Sequence, residues 1–268
     1  MKHIHSFPSH ERGLALVCAL MLMLGALILG VSIARTAFAS MAAARMERER
    51  MVARAAAEAA LADAEADIEG GNLPSSARAA WFAGGSGGGN SGGSGSAGSG
   101  GAGSGGFADG CGHGGQDLGL CLPAVPPLPP PWQAIDLAGE VGAPVVPYGR
   151  YTGATLAVGG GILPSRLPAY LVEKLEPAGA GPPAHHLYRI TAIGFGTRPA
   201  TRVVLQAVYR KPALPGTAPP AESADPGGPG GPSRAGGAGA SAGMGLPAGR
   251  ISWREIGNWP ELHARAIQ

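Results

Sequence analysis

Leu14 to Ala34, LALVCALMLMLGALILGVSIA, is the stretch that decides the fold: 21 residues without one charged side chain. An apolar helix of about 20 residues, rising 1.5 Å at each, crosses the roughly 30 Å hydrocarbon core of a bilayer. The stretch predicts one membrane span near the start of the chain. Before it stand residues 1 to 13, MKHIHSFPSHERG, with Lys2, Arg12 and three histidines, the positive flank expected of an export signal. After it the chain runs from Arg35 to Glu69 with no Pro or Gly. One helix through both segments would hold about 55 residues and measure roughly 80 Å, with residues 14–34 in lipid and 35–69 as a stalk outside it.

The leader admits two cutting positions. Ala37-Phe38-Ala39 is an A-x-A triplet of the secretory kind, but the apolar run exceeds the usual 7 to about 15 residues and Arg35 separates it from the triplet. The other position precedes the apolar run, after Gly13.

Gly 47 and Pro 25 of the 268 residues, together roughly 27%, reach the level at which aperiodic low-complexity sequence is expected. Setting aside leader, span and two such tracts leaves about 120 to 140 residues for one small head domain. The net charge of +2 and the lack of a basic face interleaved with aromatics exclude a nucleic-acid partner at this stage. Charge is segregated along the stalk: Arg35, Arg45, Arg48, Arg50 and Arg54 come first, then Glu58, Asp63, Glu65, Asp67 and Glu69. This reads as a solvated helix with i, i+4 pairs such as Arg45 with Glu49 and Arg54 with Glu58. The alternative sets the basic half near anionic headgroups or opposite acidic groups of neighbouring subunits. On the stalk Ala57, Leu61, Ala64 and Ile68 recur at helical spacing, a narrow apolar stripe that can lie on a sheet. Gly70-Gly71 and Pro74 then stop the helix, and Trp81-Phe82 follow, read either as an anchor at its end or as lone exposed aromatics.

Cys18 lies inside the apolar run and reads as an inert small hydrophobe. Cys111 and Cys121 flank the Gly-rich loop GHGGQDLGL. In an oxidising compartment they pair as a disulfide. Free thiols and a C-x-H…C metal site with His113 are the alternatives, the latter with three ligands where a closed zinc site wants four.

The interval 70–144 reads as a loop region, with a flexible Gly/Ser tract at 84–106 and a stiff polyproline segment at Pro123–Pro131, PAVPPLPPP. A β-sheet head is expected over 145–210, with β-rich runs at Arg150–Val158, Ala169–Leu175, Leu187–Phe195 and Arg202–Arg210. The last two form an antiparallel hairpin broken by Gly196-Thr197-Arg198-Pro199. His185-His186 read as loop. A disordered Pro/Gly tract covers 211–249, and 250–268 closes the chain with a final strand at Ile251–Glu255 and a short helix or tail. Strands laid over an amphipathic helix make an α+β fold: a long N-terminal transmembrane and stalk helix packed on a small antiparallel sheet.

Arg12-Gly13 followed at once by Leu14-Ala15-Leu16-Val17 resembles a type III signal, the class cut by prepilin peptidase on the cytoplasmic face of the membrane. Glu11 to Glu65 closely resembles the N-terminus of PilX-type minor pilins of type IV pili: the Arg-Gly start, an apolar run, GVS and RT, then an Arg-rich helix ending in Ala56–Glu65, AAEAALADAE. Leu187–Gly196, LYRITAIGFG, and Thr201–Arg210, TRVVLQAVYR, resemble the closing hairpin of the same family.

The resemblance implies cleavage between Gly13 and Leu14, N-methylation of Leu14, and a role in pilus initiation or assembly. It also implies single-pass residence in the inner membrane with the C-terminal part in the periplasm, then a place in the extracellular pilus. The implied partners are other minor pilins and the major pilin, a tip adhesin, prepilin peptidase, the inner-membrane assembly platform and the lipid bilayer. One departure stands out. Pilins of this kind carry Glu at the fifth mature position, where it pairs with the amine of the preceding subunit; counting from Leu14, this chain has Cys18. A carboxylate in lipid is costly without a cationic partner, and a subunit that starts a filament has no preceding amine to meet. The departure therefore points to a tip or priming position, with weaker recruitment into the filament as the alternative. No G-x-S-x-G, H-E-x-x-H or P-loop occurs, so neither an enzyme nor a cofactor is expected. The rival readings are a single-span envelope scaffold that keeps its leader, and a secreted protein cut after Ala39.

Overall fold

The computed structural model describes residues 11–70, 77–82, 106–139, 142–175, 185–213 and 247–268, with side chains from Leu14 onward. The leader up to His10, the Gly71 and Pro74 helix stop, the Gly/Ser tract up to Ser104-Gly105 and residues 214–246 of the Pro/Gly tract lie outside them. Two compact units result, one ending at Arg48 and one spanning Glu49–Gln268.

Helix α1, Glu11–Glu69, is continuous through both units. In the first unit every described side chain is exposed, from Leu14 to Arg48. Ala37-Phe38-Ala39, the secretory triplet, lies within this helix. In the second unit the helix buries one face: Ala53, Ala57, Ala60, Leu61, Ala64 and Ile68 are fully enclosed, the stripe expected from the sequence.

That stripe meets a mixed sheet. Strands β3 (Ala169–Leu175), β4 (His185–Phe195), β5 (Arg202–Pro212) and β6 (Gly249–Glu255) follow one another antiparallel. Two short strands share the free edge of β3: β1 (Leu120–Cys121), which is parallel to it, and β2 (Val146–Pro147). Alternation along the strands divides the core. Tyr170, Val172, Tyr188, Ile190, Ala192, Leu205 and Ala207 face α1 together with Phe82 and Phe107. Leu171, Ile193, Phe195 and Val204 face the other way, under Trp132, Ile256 and Trp259. Three short helices complete the unit: α2 (Ala77–Phe82), α3 (Pro131–Ala134) and α4 (Trp259–Ala266). Trp259 Nε1 donates to the Trp132 carbonyl at 3.0 Å, so α4 closes over the outer face beside α3.

Helix and sheet approach closely at Gly194. A Cβ there would stand 2.1 Å from the Ala53 carbonyl oxygen and 2.3 Å from the Ala57 nitrogen. Small residues on both sides allow this backbone contact, and any side chain at 194 would push the layers apart.

Several expectations are corrected. Arg150–Val158 opens with a turn and continues without regular structure rather than as a strand. Gly149 and Gly153 adopt φ of 79° and 74°, a left-handed conformation that a pleated strand cannot hold, and Gly153 donates to the Gly149 carbonyl at 2.9 Å. The Pro123–Pro131 segment is not one extended run: Leu128 donates to the Val125 carbonyl at 3.1 Å, closing a turn. His185 and His186 open β4 opposite Pro212 and Lys211 instead of lying in a loop. The sheet also takes in two short strands beyond those expected, Leu120–Cys121 before the interval 145–210 and Val146–Pro147 within it, beside the expected final strand, here β6.

Candidate assembly surfaces

From Leu14 to Ala34 the helix surface is apolar and uncovered. Leu16, Leu22, Met23 and Ile33 are each about 70% exposed or more, a surface that only lipid or other apolar helices can satisfy. Two hydroxyls just past it turn inward on the backbone: Thr36 donates to the carbonyls of Ser32 at 3.1 Å and Ile33 at 2.8 Å, and Ser40 to that of Ala37 at 2.9 Å. Such back-bonding removes the cost of a bare hydroxyl in an apolar medium. Gly13 and Leu14, the residues flanking the implied cut, sit in the first turn of α1, with Leu14 exposed. Cys18 is a free, exposed thiol.

The second unit is organised on a buried polar hub. Arg78 of α2 is fully enclosed. Its Nε donates to both oxygens of Asp67 at 3.1 Å and its Nη2 to Oδ2 at 2.7 Å. Its Nη1 donates to the carbonyls of Gln116 at 2.5 Å and Leu118 at 3.0 Å, and the guanidinium lies 3.8 Å over the Tyr151 ring. Tyr170 donates to the same Asp67 at 3.0 Å; burial, and then the Asp67 charge, pushes its hydroxyl well above the usual range. One turn earlier Asp63 accepts from the Gly149 amide at 2.7 Å and from the Thr152 hydroxyl. Burial raises the Asp63 carboxyl despite these donors. The hub thus ties α1 to α2, to β3 and to two loops that have no regular structure of their own.

The first of these loops is closed by a disulfide between Cys111 and Cys121. It encloses the Gln116 and Leu118 carbonyls that receive Arg78, and Tyr151 donates to the Gly115 carbonyl at 2.8 Å. The thiols are consumed in that bond. Among the described residues no group of three or more His, Cys, Asp or Glu gathers to hold a metal.

A ladder of charge joins α1 to the edge strand β6. Arg50 pairs with Glu255, the Arg54 guanidinium lies 5.1 Å over Trp253, and Arg250 Nε reaches Glu65 at 2.6 Å. Arg54 also makes the expected pair with Glu58, at 3.2 Å. Glu49 accepts instead from the Thr197 hydroxyl and the Arg198 amide in the β4–β5 turn, and the Thr197 bond first of all lowers its pKa.

The reading of the stalk acids as uniformly solvated is therefore overturned for two of them. Asp63 and Asp67 are buried. A signal was present: they follow Ala56 and Ala60 by seven residues, two turns, which places them on the buried side. Arg78 carried no signal, because nothing in its local sequence announces a partner eleven residues upstream.

Residues 117–211 match the family model described as Type IV pilus assembly protein PilX C-term. The match supports a PilX-type type IV pilus assembly protein, and it falls on the sheet, from the loop before β1 to the end of β5. It reaches back to Asp117, across Cys121 and the Pro-rich segment, beyond Leu187–Arg210, the C-terminal part of the sequence resemblance; the N-terminal part, Glu11–Glu65, is not in the match. Helix α1 lies outside the matched interval. No curated protein and no solved structure matches the chain. The matched sheet is the part that α1 packs against in the second unit, and the exposed apolar helix of the first unit fits a single-pass membrane anchor.

Proposed function

We propose that the chain is a minor pilin that takes part in the initiation or assembly of a type IV pilus, in a tip or priming complex. The observation that carries this reading is the PilX match on the sheet, in a chain whose helix continues from that sheet into an apolar run. A membrane-held helix of this kind leaves lipid by exchanging lipid contacts for neighbouring helices, at little cost in apolar exposure. The processing site is the bond between Gly13 and Leu14, cut on the cytoplasmic face, with the new Leu14 amine methylated. The head then lies in the periplasm before extraction and meets other minor pilins, the major pilin or a tip adhesin. The protein acts by packing and not by catalysis.

The N-terminal residue and mass of the protein recovered from membranes, with and without co-expressed prepilin peptidase, test this reading. A mature form starting at methylated Leu14 only when the peptidase is present is the expected result. An intact leader would instead favour an envelope scaffold anchored by the span, and a start at Ser40 a secreted protein.

A further inference from the structure

Away from the hub, the outer face of the sheet holds a set of polar groups that no structural need explains. The part of that face not covered by α3 and α4 carries Glu173 on β3, Arg189 and Thr191 on β4, Gln206 on β5, and Ser252 and Arg254 on β6. Glu173, Thr191 and Gln206 are buried, at a cost that apolar residues would avoid. Together they form a bed for two guanidinium groups. Gln206 Nε2 donates to Thr191 Oγ1 at 3.0 Å, and its Oε1 accepts from Arg254 Nε at 3.0 Å and Nη2 at 2.6 Å. Arg189 Nη1 stands 3.5 Å from Glu173 Oε1, and neither Glu173 oxygen has a hydrogen-bond donor among the described residues. Over this bed lies a depression of about 320 Å³ lined by Arg189, Gln206, Val208, Ser252 and Arg254.

We propose that this depression is a docking site for an acidic segment of a partner protein, with an aspartate, glutamate or C-terminal carboxylate taken between Arg189 and Arg254. Charge complementarity is the first argument: the lining offers two cations and no acidic side chain. Geometry is the second. A guanidinium fork matches a planar carboxylate through two parallel hydrogen bonds. Arg254 is already oriented by Gln206, so little side-chain freedom is lost on binding. Glu173 holds Arg189 by charge, at a distance beyond an ordinary hydrogen bond, so Arg189 can turn to an incoming carboxylate without breaking a close contact. A nucleic-acid strand fits less well. Its bases would need aromatic faces to stack on; Trp253 lies on the α1 side, where Arg54 covers it, and the Trp132 ring is buried beneath Arg254. The site does not depend on the filament reading, since a membrane-held scaffold would present the same face.

The test uses the full chain in detergent micelles and fluorescence anisotropy at near-physiological salt. The probes are a fluorescein-labelled peptide of alternating Glu and Ala, its Gln–Ala counterpart, and a single-stranded oligonucleotide. The expected result is binding of the acidic peptide alone, weakened about tenfold or more by Arg189→Gln or Arg254→Gln, a loss of at least 1.4 kcal/mol. Ser252→Glu, at an exposed position that leaves the bed intact, abolishes binding by placing a carboxylate in the depression. Arg45→Gln, on the helix of the first unit, leaves it unchanged. Absence of binding, equal binding of the neutral peptide, an equal loss in Arg45→Gln, indifference to the three head variants, or tighter binding of the oligonucleotide would each overturn the proposal.

Discussion

Asp67 and Arg78 show how much a single pair carries when it is removed from water. The guanidinium is surrounded by one carboxylate and two carbonyls, so Asp67→Asn leaves a buried cation without its counter-charge. The expected cost is about 3 to 5 kcal/mol of head stability. The double variant Asp67→Leu with Arg78→Met should lose less than the single, because it removes the stranded charge together with its partner. Urea midpoints followed by tryptophan fluorescence distinguish the two, and a double variant weaker than Asp67→Asn would refute the account.

Glu173 has the opposite sign. Burial raises its pKa from 4.5 to about 7, against the pull of Arg189. Between these values the folded state binds a proton that the unfolded chain has released. Stability is therefore full below about pH 4.5 and is lost as pH rises through 7. Glu173→Gln should stabilise the head by roughly 3 kcal/mol at pH 8 and hardly at all at pH 4. A pH-independent effect would show that the residue is not titrating as described. The partners of neither residue were legible from the sequence. Spacing places Asp67 on the buried side of the stalk, but the Tyr170 hydroxyl and the Arg78 guanidinium that meet it there come from distant elements.

Among the elements, legibility follows the range of the forces involved. The stripe Ala57, Leu61, Ala64 and Ile68 and the strands Ala169–Leu175 and Arg202–Arg210 could be read because periodic burial imprints itself on neighbouring residues. Arg150–Val158 misled because its apolar content resembles a strand while Gly149 and Gly153 enforce turns. Strands β1 and β2, two residues each, lie below any periodic signal and exist only because β3 offers them an edge. The close approach at Gly194 is likewise invisible locally, since Gly in a strand reads simply as a weakness. Here it permits the contact with Ala53 and Ala57, and Gly194→Val should cost about 1 to 3 kcal/mol by overpacking. Ala53→Gly, which removes only a methyl group near that contact, should not relieve the clash, because the atoms facing position 194 are backbone atoms. Thermal denaturation of both single variants and the double would show whether the obstruction is backbone or side chain.

The disulfide loop and the hub form a second element-scale unit. Cys111 and Cys121 hold a loop whose carbonyls at Gln116 and Leu118 complete the shell of Arg78. Removing the bond with Cys111→Ala and Cys121→Ala frees a ten-residue closure, worth roughly 2 to 3 kcal/mol in chain entropy. It also loosens two acceptors that a buried cation needs. The loss should therefore shrink when Arg78→Met is already present. Strict additivity in that double-mutant cycle would mean the loop and the ion pair are energetically independent.

At the scale of the whole molecule, one chain presents surfaces suited to two solvents. Leu14 to Ala34 asks for an apolar medium, while the second unit encloses the Asp67–Arg78 pair and leaves other arginines and glutamates outside. Cys18 lies in the apolar stretch, exposed on the helix, at the position where the resemblance would place a carboxylate. Under the tip or priming proposal no subunit precedes this one, so a carboxylate at position 18 would face lipid or neighbouring side chains without an amine to pair with. Its cost near the middle of a span is about 2.5 to 3.5 kcal/mol, and smaller toward the end. Cys18→Glu should then lower, or at best preserve, the amount of this protein per major pilin in sheared pili, measured by quantitative mass spectrometry. An interior position predicts the reverse. There the new carboxylate would meet the amine of a preceding subunit, the pair would replace a weak thiol contact, and incorporation would rise. A rise would refute the priming position while leaving pilus membership intact, because both outcomes require that the helix leave the membrane for a filament.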